Sequence, residues 1–361
     1  MRALLVGEGD LSHGGLIRRL GTGLSALPGV EARVEVLEDP GWPERALITR
    51  IPGLGHLDFQ PLRWQLRYSL AARRRLQRHA GEADVALVNT QASALLAREP
   101  MRRLPVVLSV DTTGHQFAAL EYWRPAGRLA APGDAAIARL ERRAYAGARR
   151  IVSWTDWSAA SLVRDYGVPA SRIEVLHFGV PIPPAAARPE PGGPLRLVMV
   201  GNHLRRKGLE VVLAALGRMR NGEAELHLVT GDALEPDPRY RVHAGVRAGT
   251  PEFAALLASA GAFVLPTRAD AAPWAVIEAL AAGLPVVSTT VGAIPELVGD
   301  AGLLVAPGDP DALARALDRL AAEPALATGL AARARARALE RYDERRQLGR
   351  LADVLADAAG A

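Results

Sequence analysis

Short apolar runs alternate with stretches of helical periodicity from one end of the chain to the other. Such runs are typical of strands buried on both faces, and helical stretches between them are typical of parallel sheets covered by helices. The pattern therefore predicts an α/β protein built on parallel sheets. The predicted strands are residues 3–6, 34–37, 85–88, 106–110, 151–154, 173–176, 195–200, 224–229, 241–244, 262–265, 286–288 and 302–305.

A proline-rich segment divides the predicted strands into two sets. Residues 179–194 contain six prolines and three glycines, a composition that regular helices and strands do not tolerate. We therefore predict two Rossmann-like domains, 1–180 and 195–345, joined by a linker at 181–194. The two domains are expected to face each other across a cleft.

The end of the chain has a helical pattern from residue 313 to residue 359, with an interruption near Glu323 and Pro324. This stretch is longer than the second domain needs to cover its sheet. We therefore expect the last part, residues 346–361, to form a helix that crosses back to the first domain.

Composition narrows the possible function classes. The 361 residues contain no cysteine, which excludes disulfides, thiolate nucleophiles and cysteine-ligated metal sites. Strand-like sequence begins at Arg2, and no apolar run reaches the length of about eighteen residues needed for a membrane span. We therefore expect neither a membrane span nor a signal peptide, and a cytoplasmic location.

Positive charge is concentrated in the first half of the chain. Residues 1–180 contain 24 arginines and 18 acids, whereas the remaining residues contain 20 basic and 21 acidic side chains. An arginine excess is compatible with nucleic-acid binding. No basic patch interleaved with aromatic residues and no zinc or RNP-type motif occurs, however, so we expect no nucleic-acid partner.

A helical segment at residues 62–79 carries six arginines and no acid. Leu62, Leu66, Leu70 and Leu76 give it an apolar side. One interpretation is a peripheral contact with the inner face of an anionic membrane. The other is an ordinary surface helix that packs its leucines on the first sheet.

Lys207 is the only lysine among the 44 basic residues. An ammonium is a compact point charge, whereas a guanidinium is a planar fork, so a lysine in this arginine-rich chain indicates a specific role. It follows the predicted strand 195–200, in a loop that has glycine at both ends and contains His203, Arg205 and Arg206. Backbone N–H groups and cations in such a loop are suited to bind phosphate. The alternative is a lysine without a functional role, left by neutral drift in a solvated turn.

Two acids follow the predicted strand 262–265. Asp270 lies in the loop after this strand, and Glu278 lies eight positions later on the next helix. Glu278 has apolar neighbours, among which a carboxylate is costly unless it is bonded. The acids can accept hydrogen bonds from sugar hydroxyls, while the free N–H groups of the helix can bind an anion. The alternative is a capping aspartate and a solvated helical glutamate.

A glycine-rich loop at residues 7–15 follows the first predicted strand, and glycines allow the backbone to approach a ligand closely. One alternative is a dinucleotide fingerprint for NAD, with Glu38 or Asp39 on the ribose. Against it, Ser12 replaces the third glycine, and the acids follow after about thirty residues instead of about twenty.

Two further motifs are similar to known binding loops but differ at the deciding positions. In a Walker A loop glycine precedes the lysine and Ser or Thr follows it, whereas here Lys207 is followed by Gly208. Asp309 and Asp311 resemble a metal-binding pair, but the proline between them and the helix that starts there indicate a capping aspartate. We expect no metal and no other cofactor.

Several of these motifs, in this order, resemble the retaining glycosyltransferases of family 4, which have the GT-B fold. The resemblance is strong over about residues 150–345 and weak over 1–150. The segments that carry it are residues 150–158, 166–176, 201–208, 270–278, 282–287, 290–298 and 302–309.

The resemblance implies that the second domain binds a nucleotide-activated sugar, such as a UDP-, GDP- or ADP-sugar. Lys207 would hold the donor diphosphate with help from Arg205 or Arg206, and Arg205 would be the second catalytic cation in place of the arginine that the family usually has at Asn202. Asp270 would contact the transferred sugar, and Glu278 would bind the donor ribose. Further donor contacts are implied for Asn202, Arg206, Val246, Arg247, Ala271, Ala272, Pro273 and Trp274, with Val246 and Arg247 beside the nucleobase.

This chain differs from the family pattern at three of these positions. The family usually has Arg where Asn202 stands, Glu where Asp270 stands and Gly where Pro273 stands. The differences bear on which sugar is transferred more than on the type of reaction.

In the first domain, the resemblance places the glycine-rich loop near the donor phosphate and the acceptor. It implies a donor contact for Gly15 and acceptor-side roles for His13, Gly14 and Asp111. The family often has a histidine after the strand that corresponds to 106–110, and His115 could replace it as a catalytic residue. Both histidines can equally be solvated loop residues.

The implied activity is transfer of a sugar from a nucleotide-sugar to an acceptor hydroxyl, with retention of anomeric configuration and without a metal. The acceptor would be a sugar, a lipid-linked molecule or another small molecule. Two alternatives use the same site: a GT-B-fold sugar-nucleotide epimerase and a catalytically silent glycosyltransferase subunit. A third, an NAD-dependent oxidoreductase, uses the first domain instead.

Overall fold

The computed structural model describes residues 1–9, 13–38, 48–51, 55–58, 60–120, 128–129, 131–185, 193–221 and 223–360. The chain forms two compact units, Met1–His177 with Arg345–Ala361, and Phe178–Glu344. Of the predicted linker, residues 186–192 lie outside the described residues. The predicted α/β class is confirmed, because each unit contains a six-stranded parallel sheet with helices.

The first unit is built on a parallel sheet in the order β2-β1-β5-β6-β8-β9. Its elements are β1 (Arg2–Glu8), α1 (His13–Ser25), β2 (Glu31–Leu37), β3 (Ile48–Ile51), β4 (Gly55–Asp58), α2 (Gln60–His79), β5 (Val85–Asn89), β6 (Val106–Val110), α3 (Gly114–Ala119), β7 (Arg128–Leu129), α4 (Ala131–Gly147), β8 (Arg150–Ser153), α5 (Asp156–Tyr166) and β9 (Ile173–Val175). Short 3-10 helices lie at Gln91–Ala94, Pro100–Arg102 and Ala170–Arg172.

The second unit repeats this architecture with a sheet in the order β12-β11-β10-β13-β14-β15. Its elements are β10 (Leu195–Val200), α6 (Leu204–Lys207), α7 (Leu209–Leu216), β11 (Ala224–Val229), β12 (Tyr240–Val242), α8 (Pro251–Ala258), β13 (Ala262–Leu265), α9 (Trp274–Ala281), β14 (Val286–Thr289), α10 (Ile294–Val298), β15 (Gly302–Val305), α11 (Pro310–Ala322) and α12 (Pro324–Arg341). The last helix is α13 (Glu344–Ala359).

Each of the twelve predicted strands overlaps a strand of one of these two sheets. The least accurate is 241–244, which lies at 240–242 in the structure. A third sheet in the first unit, β3-β4-β7, was not predicted. β3 and β4 are only four residues each, and β4 pairs with the two-residue β7 across a long stretch of chain, so local periodicity gives little sign of them.

The predicted apolar side of α2 is partly wrong. Tyr68, Ala72 and Leu76 are fully buried in the core, and Trp64 packs against the same cluster, whereas Leu70 is 40% exposed. Tyr68, Ala72 and Leu76 are four residues apart, so they lie on one face of the helix, and this face packs against the core. A membrane contact through α2 would therefore depend mainly on exposed arginines. Within the described residues, no helix is both long and apolar enough to span a bilayer.

The helical end of the chain contains the predicted break at Glu323 and a second break that was not predicted. At the second break, the N–H of Val180 donates to the carbonyl of Tyr342 at 2.8 Å, and the N–H of Glu344 donates to the carbonyl of Val180 at 3.2 Å. These backbone groups pair with an extended segment instead of continuing α12. The helix α13 that follows belongs, from Arg345 onward, to the first unit.

Candidate active site

The second sheet reverses its strand order next to β10. The chain runs from β10 outward through β11 and β12, and then returns to the other side of β10 with β13. In open α/β sheets such a switch point leaves a crevice at the carboxyl ends of the strands, where ligands bind. The loops after β10 and β13, which contain Lys207 and Asp270, both begin at this point.

The loop after β10 is shaped by an acid in the loop that follows the neighbouring strand β11. The carboxylate of Asp232 accepts hydrogen bonds from the N–H groups of His203 at 3.0 Å and Leu204 at 2.8 Å. These groups are the free donors at the start of α6, so Asp232 caps this short helix. His203 itself has a left-handed backbone, with φ of 58°. The result is a single tight helical turn that ends at Lys207.

Lys207 and Arg206 converge on Asp270. The Lys207 Nζ lies 3.0 Å from Asp270 Oδ2, and Arg206 Nη1 lies 2.7 Å from Asp270 Oδ1. The three side chains are only 10–12% exposed. Burial lowers the pKa of Lys207; the attraction of Asp270 opposes this effect, and repulsion from Arg206 adds to it. The cluster therefore holds two cations and one anion in a nearly dry setting.

The backbones of the two loops are joined as well. The N–H of Arg268 donates to the carbonyl of Arg206 at 2.9 Å, and the Arg206 guanidinium donates to the carbonyl of Ala269. Gly208 makes this approach possible, because a Cβ on it would lie 2.2 Å from the carbonyl oxygen of Pro266. The position of Lys207 is therefore fixed by the neighbouring strand as well as by its own loop.

A third loop, between β14 and α10, supports Asp270 from the other side. The N–H of Ala293 donates to the carbonyl of Ala271 at 2.8 Å. Gly292 has φ of 58°, and a Cβ there would lie 2.2 Å from the carbonyl oxygen of Asp270. Only glycine combines this left-handed backbone with so close an approach. The backbone that carries Asp270 is thus held on both sides.

The helix α9 begins beside this cluster. Pro273 occupies the position before its first turn, and Trp274 is the first helical residue. The Trp274 ring meets the buried ring of Phe178 edge to face, with 5.3 Å between centroids. Glu278 lies one turn further along the helix and is partly buried, as are Ala271 and Ala272 before it.

Two predicted site residues make contacts outside the cation cluster. Arg205 is 80% exposed at its side chain and lies 3.6 Å from Glu210, so the structure does not bring it to Lys207 and places Arg206 there instead. Asn202 accepts a hydrogen bond at its Oδ1 from the N–H of Gly231 at 2.8 Å. It joins the loops after β10 and β11, so it does not replace the family's cation.

Val246 and Arg247 lie in a turn between β12 and α8. Val246 is partly buried and Arg247 is exposed. The turn is closed by a hydrogen bond from the N–H of Thr250 to the carbonyl of Arg247, and Thr250 caps α8. The nucleobase role implied for the pair stays a prediction.

In the first unit, the glycine-rich loop is described only in part. Ser12 lies outside the described residues, as does Asp39, and the side chain of His13 is not described either. A Cβ on Gly14 would lie 2.9 Å from the carbonyl oxygen of Gly9, whereas Gly15 has open space around it. Gly14 thus closes the loop, and Gly15 leaves room beside it.

The loop after β6 is held by a buried acid. Glu141 on α4 accepts hydrogen bonds from the N–H of Gly114 at 3.1 Å, from the Gln91 amide at 3.3 Å and from the Tyr166 hydroxyl. Burial raises the pKa of Glu141, and these hydrogen bonds oppose that effect. The Tyr166 hydroxyl also accepts from the N–H of His115 at 3.0 Å.

This network fixes the backbone around the two predicted residues of the loop. The His115 side chain is exposed, and Asp111 is partly exposed. Asp111 accepts a hydrogen bond at its Oδ1 from the N–H of Thr112 at 2.7 Å. Both side chains are therefore presented by a rigid backbone, and their implied roles stay predictions.

Family models match both units of the chain. One, described as "Glycosyltransferase Family 4", matches residues 16–182, and another, described as "Glycosyl transferases group 1", matches residues 194–323. The chain belongs to the family 4 glycosyltransferases. The resemblance inferred from the sequence motifs is thereby confirmed, and the oxidoreductase alternative is set aside.

Curated relatives of this glycosyltransferase have several transfer activities. An MMP alpha-(1->4)-mannosyltransferase of Mycolicibacterium hassiacum is 28% identical over 295 residues, which cover 76% of this chain and 70% of that protein. A glycogen synthase of Mycobacterium tuberculosis is 32% identical, over 49% of this chain and 47% of the relative. This second match spans about half the length of the relative.

Solved structures share the fold of the glycosyltransferase over almost its full length. Sucrose-phosphate synthase from Thermosynechococcus elongatus has a TM-score of 0.74 at 19% identity, with 98% of both chains covered. Anabaena HepE in complex with UDP has a TM-score of 0.71 at 17% identity, with 99% of this chain and 100% of that chain covered. The GT-B fold class is thereby confirmed.

Sequence reasoning missed two acids, each of which holds a loop with predicted site residues in its own unit. Asp232 lies three residues after the end of β11, at the same sheet edge as Lys207, and that position could have indicated it. Glu141 is surrounded by arginines in the sequence and reads as a surface residue, so no signal pointed to it. The expected cap at Asp309 is present, since its side chain accepts from the N–H of Ala312 at 2.8 Å. Asp311 instead pairs with Arg218.

Proposed function

We propose that this glycosyltransferase moves a sugar from a nucleotide-sugar donor to an acceptor hydroxyl, with retention of configuration and without a metal ion. The observation that carries the proposal is the pair of buried cations, Lys207 and Arg206, at the switch point of the second sheet. Cations held in place in a nearly dry site stabilise a leaving diphosphate more strongly than they would in water.

The proposed donor site combines this cluster with the start of α9. Lys207 and Arg206 bind the diphosphate, and the free N–H groups of α9 add to the positive potential there. Glu278 accepts hydrogen bonds from the donor ribose. Val246 and Arg247 contact the nucleobase. Anabaena HepE is solved with UDP and with UDP-glucose, which supports a UDP-sugar as the first donor to test.

In the proposed reaction the acceptor oxygen attacks the anomeric carbon on the face from which the diphosphate leaves. The bond between this carbon and the diphosphate oxygen breaks, the bond to the acceptor oxygen forms, and the acceptor proton passes to the departing diphosphate. Lys207 and Arg206 stabilise the negative charge that develops on the diphosphate. The acceptor is bound by His13, Gly14, Asp111 and His115.

Metal independence is proposed on the chemistry of the same cluster. The two cations supply the charge compensation that a divalent ion provides in other transferases. The aspartate pair that resembled a metal motif is engaged elsewhere, because Asp309 caps α11 and Asp311 pairs with Arg218. Full transfer in the presence of a chelator is therefore expected.

The proposal is tested first by thermal stabilisation with UDP-glucose, GDP-mannose, ADP-glucose, the free nucleoside diphosphates and NAD, all with chelator present. A ligand at one hundred times its Kd stabilises the native state by about 2.7 kcal/mol. We expect one nucleotide family to raise the Tm of the wild type. The shift should be lost in Lys207→Ala and kept in Arg239→Ala, which removes an exposed cation of the same unit.

The donor so identified is then incubated with hydroxyl-bearing acceptors, and the anomeric configuration of the product is read by NMR. Lys207→Ala should lower transfer by about 100-fold or more. Stabilisation by NAD alone, or an equal response of Lys207→Ala and the wild type, would refute the proposed site. An inverted product would refute retention but leave the donor site intact.

A further inference from the structure

Asp270 binds both of the cations that the proposed function assigns to the diphosphate. Lys207 Nζ lies 3.0 Å from Oδ2 and 3.1 Å from Oδ1 of this carboxylate, and Arg206 Nη1 lies 2.7 Å from Oδ1. A carboxylate and a phosphate accept the same hydrogen bonds from these groups. The ammonium and guanidinium protons that point at Asp270 therefore cannot also point at a diphosphate.

Burial makes this competition strong. The side chains of the cluster are only 10–12% exposed, so water screens their charges little. Two buried cations without a counter-ion would be costly, and Asp270 compensates one of their two charges. An arriving diphosphate brings enough negative charge to replace this compensation.

The shape of the site allows an exchange at the side chain alone. The backbone next to Asp270 is held by the hydrogen bond from Ala293 to the carbonyl of Ala271, with Gly292 close to the carbonyl of Asp270, and the backbone of Arg206 is held by Arg268. The carboxylate can therefore leave the cations by rotating about its own side-chain bonds while this backbone stays in place. No loop movement is needed to open the cation pair or to close it again.

We propose that Asp270 acts as an internal counter-ion that occupies the diphosphate position of the empty site, is displaced when the donor binds, and returns as the nucleoside diphosphate product leaves. This inference rests on the proposed function and assigns Asp270 a role other than contact with the transferred sugar. Its consequence is that Asp270 weakens diphosphate binding and thereby limits inhibition by the product.

The test uses inorganic pyrophosphate, which has neither a nucleobase nor a sugar, and isothermal calorimetry on the full chain. Asp270→Asn should bind pyrophosphate about tenfold more tightly than the wild type or better, because the competing charge is gone. Asp270→Glu keeps the charge and should stay much closer to the wild type. Asp237→Asn, which removes a partly exposed carboxylate of the same unit that pairs with Arg239, should leave the affinity unchanged.

A second pair of variants covers the case in which Asp270→Asn alone does not fold. Arg206→Gln should weaken pyrophosphate binding, because it leaves one cation neutralised by one carboxylate. Adding Asp270→Asn to Arg206→Gln frees Lys207 at an unchanged net charge of the cluster relative to the wild type. We expect this double variant to recover most of the lost affinity.

The outcomes separate this inference from the proposed function. One outcome is that Lys207→Ala loses pyrophosphate binding, Asp270→Asn binds no more tightly than the wild type, and the double variant recovers no affinity. In that case the counter-ion role is wrong and the diphosphate site stands. If the wild type and every variant bind neither pyrophosphate nor UDP, GDP and ADP, the diphosphate site fails and the counter-ion role fails with it.

Discussion

At the scale of single residues, Gly208 decides whether the lysine loop can lie against the neighbouring strand. Its φ of 91° is left-handed, and a Cβ there would lie 2.2 Å from the carbonyl oxygen of Pro266. Gly208 thus meets two requirements, a left-handed backbone conformation and a close approach to the backbone of Pro266. Gly245 shares the first requirement only, since its φ is 81° and a Cβ there would meet nothing within 4 Å.

Gly208 and Gly245 allow a comparison of the same substitution at two left-handed positions. Gly245→Ala should cost about 1 kcal/mol in the free energy of unfolding, because of the left-handed backbone alone. Gly208→Ala should cost clearly more, about 3 kcal/mol, and should also weaken pyrophosphate binding, because Lys207 is displaced. Urea unfolding and calorimetry measure the two effects. Equal costs at both positions would show that the approach to Pro266 does not limit the loop.

The orientation of single residues also explains why the site was predicted only in part. Lys207 and Asp270 carry recognisable patterns, a lone lysine in a glycine-bounded loop and an acid after a buried strand. The choice between Arg205 and Arg206 was beyond the sequence, because adjacent helical residues point about 100° apart. Which one faces Asp270 depends on where α6 starts, and that is set by the left-handed backbone of His203 and by Asp232.

At the scale of elements, Glu141 links the loop after β6 to the helix α4. This acid collects hydrogen bonds from Gly114, Gln91 and Tyr166, and Gln91 also donates to the carbonyl of Thr112 at 2.8 Å. A helix on the sheet face thus determines the backbone path of a loop at the sheet edge.

Glu141→Ala would remove the acceptor of the partly buried Gly114 N–H and Tyr166 hydroxyl, whereas the Gln91 amide would keep its hydrogen bond to the carbonyl of Thr112. Since one unsatisfied buried group costs about 1–3 kcal/mol, we expect a loss of about 3 kcal/mol in the free energy of unfolding. Amide hydrogen exchange should also rise in residues 112–116. Arg139→Ala, an exposed position on the same helix, should change stability by less than about 0.5 kcal/mol. Unchanged exchange in the loop would contradict the proposed coupling between α4 and the loop.

Element prediction succeeded where the pattern was local. The central strands of the two large sheets, such as β5, β6, β13 and β14, are mainly apolar and buried along their whole length, and burial on both faces imprints that pattern directly on the sequence. The pairing of β4 with β7 joins Leu57 to Leu129, and the second break in the helical tail depends on Val180. Such long-range pairings are not encoded in any local window, so periodicity could not predict them.

At the scale of the whole molecule, the first unit is completed by the last helix of the chain. Leu348, Leu351 and Leu355 of α13 are buried. Two ion pairs add to this packing, with Arg150 to Asp357 at 2.8 Å and Arg350 to Glu174 at 2.5 Å. The chain therefore leaves the first unit at His177 and returns to it only at its end.

Leucines in the last two helices test this arrangement. Leu355→Ala removes a side chain with no exposure and should cost about 2–5 kcal/mol. Leu339→Ala makes the same change at a side chain that is 50% exposed and should cost less than about 0.5 kcal/mol. Hydrogen exchange after Leu355→Ala should rise in β1 to β9 more than in β10 to β15. A rise confined to the second sheet would contradict the assignment of α13.

The single lysine has a consequence for the chemistry of the whole chain. Apart from the α-amine of Met1, which donates to the carbonyl of Gly29, the protein contains one primary amine, and it is buried. Acylating reagents and lysine-specific proteases therefore have one side-chain target. Because Lys207 lies in a helical turn that is bonded to the loop after β13, cleavage after it requires local unfolding of the loop, so the appearance of two fragments would report that unfolding without any added label.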